Sequence, residues 1–216
     1  MLFRSADGPV AEVSTTFGFF SPELLEDQRG LPTTDADRAR LAAPSPTGPI
    51  SLLDGGGPLG HLPGMASSRM RMLDEVTGFW PDGGEEGLGR IRTEQAVRPE
   101  AWYFEAHFFE DPVQPGSLGI EALVQSARAL VALSGWLEGI ESPVWEQPIL
   151  DFPLTWRYRG QVVPTRERVV TEVEARSVEI VEGESVTVTV YGTQWVDGLR
   201  IYEVPAFAVR VRSGGR

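Results

Sequence analysis

The chain has no cysteine and no lysine. Without cysteine there are no disulfides, no thiolate nucleophile and no cysteine-ligated zinc. All 19 basic residues are therefore arginine, which reads as codon bias from a G+C-rich genome and not as chemistry. Histidine is scarce too: only His61 and His107 are present, so a mechanism that needs a base near neutrality has few candidates. Positive charge is in the minority, 19 basic against 31 acidic residues for a net charge of −12. That argues against nucleic acid as the main partner, since neutralising phosphates needs a basic face. No run approaches the ~20 apolar residues of a membrane span. Met1 to Asp7 lack the charged start and apolar core of a signal peptide. The expectation is a cytoplasmic protein away from membranes.

What is present fits a globular chain. Its 216 residues are 41% apolar and 23% charged, enough for one ordinary domain plus linker. A chain of this length buries roughly 70% of its unfolded surface and needs no staples. Val10 to Phe20 reads as strand-like and ends at Ser21-Pro22. Residues 28 to 64 are rich in Gly and Pro, as in Pro44-Ser45-Pro46-Thr47-Gly48-Pro49. This composition reads as a linker, or as an ordered arm over a neighbouring surface. Within it, His61 has no partner histidine, and Gly55-Gly56-Gly57 lacks the Lys-Ser/Thr of a phosphate loop. No metal and no nucleotide is expected.

Leu118 to Leu137 is the best helix candidate. Its apolar residues go most of the way round, the mark of a buried helix. Ser117 is its expected N-cap, and Gly135 or Gly139 its stop. Leu88 to Val97 reads as a strand of poor alternation. The final third is β. Val169, Thr171, Val173 and Ala175 alternate with Val170, Glu172 and Glu174, and Val186, Val188 and Val190 alternate with polar residues. Asp197-Gly198 is a hairpin signal before Leu199 to Arg212, and Pro205 marks an edge or a bulge in that last strand. Successive hairpins mean an antiparallel sheet. With one long buried helix they predict an α+β fold, the sheet wrapped around the helix.

One segment carries chemistry, Trp102 to Gln125. It sets His107 in an aromatic loop, then a Pro115-Gly116 turn that feeds straight into the helix, then Glu121 near the helix start. On so apolar a helix Glu121 is expected to be buried, and a buried carboxyl can hold a proton near neutral pH. A protonated acid and a neutral imidazole form an acid/base pair suited to elimination. The N–H groups at the helix start can bind a carbonyl that gains negative charge.

At these residues the chain resembles a known family. His107-Phe108, Asp111-Pro112-Val113, Pro115-Gly116, Leu118-Gly119, Glu121-Ala122 and Gln125 resemble the signature of FabA-like 3-hydroxyacyl-[acyl-carrier-protein] dehydratases, which have the hotdog fold. The likeness runs from about Arg69 to Arg212, through Arg71-Met72-Leu73-Asp74, Gly160-Gln161-Val162-Val163-Pro164 and Asp197-Gly198. Ser14 to Pro22 and Phe79-Trp80-Pro81 are similar to dehydratase regions of multidomain polyunsaturated fatty acid and polyketide synthases. The implied organisation is a hotdog dehydratase domain over residues 65–216. Residues 1–64 form an extension and linker, with residues 1–22 either the tail of a preceding hotdog unit or an ordinary extension.

The resemblance implies a set of roles. His107 takes the α-proton of the thioester, Glu121 protonates the departing hydroxyl, and the Gly116 N–H polarises the thioester carbonyl. Gln125 orients the Glu121 carboxyl, and the Val113 carbonyl supports His107. The product is a trans-2-enoyl thioester, with isomerisation to the 3-cis product left open. A hotdog thioesterase and a non-catalytic dimerising domain remain as alternatives. Gln114 stands where the family commonly has Met, which leaves acyl-chain preference open. The implied partners are an acyl carrier protein, whose phosphopantetheine brings the substrate in place of any resident cofactor, and a second hotdog unit as a homodimer or a neighbouring domain. Arg157, Arg159, Arg166 and Arg168 are candidates for docking the carrier, against the default of a solvated strand face.

Overall fold

Residues 2–5, 8–12, 29–52, 68–146, 152 and 154–214 are described by the structure, a computed structural model. Strand β1 (Leu2–Ser5) pairs antiparallel with β2 (Gly8–Glu12) in a small sheet of their own. The remainder of the strand expected over Val10 to Phe20 lies outside the described residues, as do His61 and Gly55 to Gly57.

The main body is one eight-stranded antiparallel sheet. Its strands are β3 (Ile50–Ser51), β4 (Glu75–Trp80), β5 (Arg90–Ala96), β6 (Pro143–Trp145), β7 (Arg157–Tyr158), β8 (Arg168–Val181), β9 (Ser185–Val196) and β10 (Leu199–Ser213). The order is β3-β4-β5-β8-β9-β10-β6, with β7 also on the free edge of β10. β9 and β10 join through Asp197 (φ 48°) and Gly198 (φ 80°), the two left-handed positions that a tight hairpin turn requires. The register of β10 on β9 shifts between Val204 and Phe207, so Pro205 sits in a bulge. Its missing N–H is tolerated there.

Helix α3 (Gly116–Leu133) lies on one face of this sheet, after a short helix α2 (Trp102–Ala106). Leu118, Leu123, Ala127, Leu130 and Val131 share one core with Val173, Val188, Val190, Ile201 and Val209. Thr93 and Ser126 hydrogen-bond at 2.8 Å where α3 crosses β5. This is the expected α+β hotdog arrangement, a sheet curled round a central helix. The expected stop is found as well, with Leu133 the last helical residue and Gly135 left-handed just after it (φ 74°). The start differs: Pro115 is the N-cap and Gly116 the first helical residue. Proline pre-sets the entry angle without any side-chain cap, and Ser117 lies exposed within the first turn.

The outer face of the sheet is also covered. Residues 29–52, the Gly/Pro-rich stretch, lie across it as an ordered arm. Leu31 N–H donates to Arg200 O at 2.7 Å, Phe79 N–H to Ser45 Oγ at 3.2 Å and Arg92 Nη1 to Ala43 O at 3.0 Å. Helix α1 (Asp35–Leu41), capped by Thr34, delivers Arg40 to Glu174 at 2.5 Å. Glu172 and Glu174 are therefore buried, although alternation alone puts them on a solvated face. Burial pushes the Glu172 carboxyl above its ordinary pKa, and the guanidinium groups of Arg40 and Arg90 oppose the shift.

Candidate active site

Two backbone-anchored clasps form on either side of the α3 N-terminus. The first holds His107. Tyr103 and Phe104 anchor α2 in the core, and the chain leaves it at His107. His107 Nδ1 hydrogen-bonds Val113 O at 2.9 Å, and Val113 N–H donates back to His107 O at 2.9 Å. A carbonyl only accepts, so in the neutral ring Nδ1 carries the hydrogen and Nε2 presents its lone pair. Next in the chain, Gln114 N–H donates to Val162 O at 2.9 Å. The Gln114 side chain is buried, and its Oε1 has no hydrogen-bond partner among the described residues.

The helix start is seated by β10. Tyr202 Oη donates to Gly116 O at 3.0 Å. A Cβ on Gly119 would fall 2.3 Å from Tyr202 Cε2, so glycine is needed there for the first turn to meet the ring. Burial pushes the Tyr202 hydroxyl well above the usual tyrosine range, so it stays a donor. The first N–H groups of a helix have no intrahelical partner, and those at Gly116 and Ser117 bring the positive end of the dipole to the same place.

The second clasp holds Glu121. Gln125 lies one turn further on the same helix face and is completely buried. It donates from Nε2 to Glu121 Oε1 at 2.8 Å and to Met70 O at 2.9 Å, and its Oε1 accepts from Met72 N–H at 2.9 Å. Both amide hydrogens and the oxygen are engaged, so the amide cannot rotate without breaking three bonds. Gln125→Leu is expected to leave the Met72 N–H buried and unpaired, at about 1–3 kcal/mol. For a chain of this size that lowers the melting temperature by roughly 2–4 °C per kcal/mol, read by thermal denaturation.

Glu121 is half-buried, not sealed in. It lines a mostly apolar groove of about 240 Å³ together with Ile120, Val124, Arg128, Phe207 and Val209. His107 is not part of that lining. One chain thus brings Glu121 and Gln125 together, and separately His107, Val113 and the Gly116 turn. Beside His107, Phe108 is 57% and Phe109 91% exposed.

Some participants carry little signal in the sequence. Met70 and Met72 act through their backbone, which no residue type announces. Tyr202 lies on a strand that the pattern predicts, but nothing in that pattern assigns it a role. Arg128 carried a visible signal, a charge in the middle of an apolar helix. Of the four arginines considered for docking, Arg157 pairs with Glu203 at 2.9 Å, Arg166 with Asp197 at 4.0 Å and Arg168 with Glu94 at 3.0 Å. Arg159 donates to Tyr158 O. Three of the four therefore sit in ion pairs. Among the described residues no group of three His, Asp or Glu is placed to hold a metal, and no helix is long and apolar enough to cross a membrane.

Residues 65–205 match the family model of the FabA-like domain. The chain is 32% identical over 224 aligned positions to a polyunsaturated fatty acid synthase subunit of Thraustochytrium sp. (strain ATCC 26185 / S-3), a match that covers 93% of this chain and 14% of that protein. The chain thus spans about one-seventh of the length of that relative. Among solved structures, the dehydratase heterocomplex ApeI:P from Xenorhabdus doucetiae aligns with a TM-score of 0.45 at 8% identity, over 70% of this chain and 88% of that one. The monoamine oxidase regulatory protein from Archaeoglobus fulgius aligns with a TM-score of 0.40 at 15% identity, over 58% and 90%.

Proposed function

The chain belongs to the FabA-like domain family, and on that premise we propose that it removes water from 3-hydroxyacyl thioesters to give trans-2-enoyl thioesters during fatty acid or polyketide assembly. The observation that carries this reading is the Glu121 carboxyl, held by a locked Gln125 in the lining of a mostly apolar groove.

The chemistry follows from the two clasps. His107 Nε2 takes the proton from C2 of the bound thioester. The C–H electron pair becomes the C2=C3 π bond while the C3–O bond breaks. The departing oxygen takes the proton of Glu121 and leaves as water. His107 ends protonated and Glu121 ionised, and proton exchange through solvent resets both. Charge that gathers on the thioester oxygen meets the Gly116 N–H at the positive end of α3.

Both groups must reach one substrate, and His107 does not line the groove that holds Glu121. The reading therefore requires pairing, with His107 of one unit facing Glu121 of the other. The second unit is another copy of this chain or a neighbouring hotdog domain. Exposed Phe108 and Phe109 beside His107 suit a surface that a partner covers. The catalytic unit is residues 65–216, with the arm of residues 29–52 strapped to its outer face. The acyl group arrives on the phosphopantetheine arm of a carrier protein.

The test is mass spectrometry of carrier-bound 3-hydroxyacyl substrates after incubation with the protein. Loss of water with the thioester intact is expected, and the position of the double bond reports any isomerisation. Release of free acid without water loss would replace this reading with a thioesterase.

A further inference from the structure

The groove floor is one face of α3. Ile120, Val124 and Arg128 recur every fourth residue and so form a row along the helix, with Glu121 beside the row at its N-terminal end. Glu121 and Arg128 are the only charged residues of α3. Seven positions separate them, about 10 Å along the axis at ~1.5 Å per residue. Val124 of α3 and Phe207 and Val209 of β10 are apolar members of the groove lining, and Glu146 is a third charged one. Arg128 is only 2% exposed, and its guanidinium lies over the Trp145 ring, 5.4 Å from the centroid. Burial lowers its pKa.

We infer that Arg128 sets the length of acyl chain the groove accepts, so that the preferred substrates are short and medium-length 3-hydroxyacyl thioesters. This rests on the dehydratase reading. With C3 at Glu121, the alkyl chain runs along Val124 toward Arg128. An extended chain advances roughly 1.2 Å per bond, so the distance holds on the order of eight bonds. A longer chain must lay methylene groups against a buried guanidinium or push it off Trp145. Either way a charged group exchanges favourable surroundings for hydrocarbon, which is costly.

The experiment uses the full chain and N-acetylcysteamine thioesters from 3-hydroxybutyryl to 3-hydroxypalmitoyl. Affinity is read by calorimetry, and water loss by mass spectrometry on the same series. For the unsubstituted protein, affinity is expected to rise with length to the medium range and then fall by about tenfold or more. Arg128→Leu is expected to remove the fall at long chain lengths, and Arg128→Lys to keep it. Should Arg128→Leu not fold, Arg128→Met makes the same comparison. Identical length profiles for the unsubstituted protein and the apolar variant would overturn the assignment and leave the dehydratase reading standing. A length break that shifts in the variant, with no water lost from any substrate, would do the reverse. No binding across the whole series would end both.

Discussion

His107→Ala is expected to lower water loss from a 3-hydroxyacyl thioester by about 100- to 10,000-fold, the usual contribution of a positioned acid or base. The fold should survive. Among the described residues the ring makes one hydrogen bond, to Val113 O, and rests against Phe108, itself largely exposed. The substitution therefore removes one hydrogen bond worth about 0.5–1.5 kcal/mol. The loop keeps its closure, because Val113 N–H still donates to the backbone oxygen of residue 107. Circular dichroism and thermal melting should stay close to those of the unsubstituted protein while turnover collapses. Turnover at the original rate would remove His107 from the mechanism and leave Glu121 without its partner base.

Two inactive variants should restore each other. If each site takes His107 from one copy and Glu121 from the other, a dimer of one His107→Ala chain and one Glu121→Ala chain has one site with neither group and one site with both. In a two-fold symmetric pair that gives about half the original turnover. Each variant by itself should stay down by the factor expected for a lost acid or base. Co-expression with two different tags and purification through both isolates the mixed dimer. A mixed dimer as inactive as its parents would show that the two groups do not meet across the interface. The prediction follows from the groove, whose lining holds the carboxyl and lacks the imidazole.

Much of the fold could be read locally. The near-continuous apolar run of α3 and the alternation of β8 and β9 are one-element patterns, set by periods of about 3.6 and 2 residues. The Asp197-Gly198 turn depends on two neighbouring residues and their left-handed φ values. Pro205 was legible as a fault in the ladder, because proline has no N–H to give. The composition of residues 28–64 favoured a linker over an ordered arm. The distinction rests on partners far along the chain, such as Arg200 for Leu31 and Glu174 for Arg40. The burial of Glu172 and Glu174 was hidden for the same reason, since a strand pattern reports only which residues share a face.

At the site, the residues along 107–125 pointed to His107, Glu121 and the N–H groups of the helix start, and the likeness to the FabA-like signature added roles for Val113, Gly116 and Gln125. These are short-range relations: a loop closed on itself, and a helix pair one turn apart. Local sequence set which elements bear these residues and which short-range contacts they make. Tertiary structure alone decided what locks Gln125, for the Met70 and Met72 groups that hold it are backbone atoms 55 and 53 residues away. It also decided that Arg128 points into the groove beside Trp145 and that His107 stays outside it. A residue's neighbours in space are set by how the sheet curls round the helix, and no single element encodes that curl.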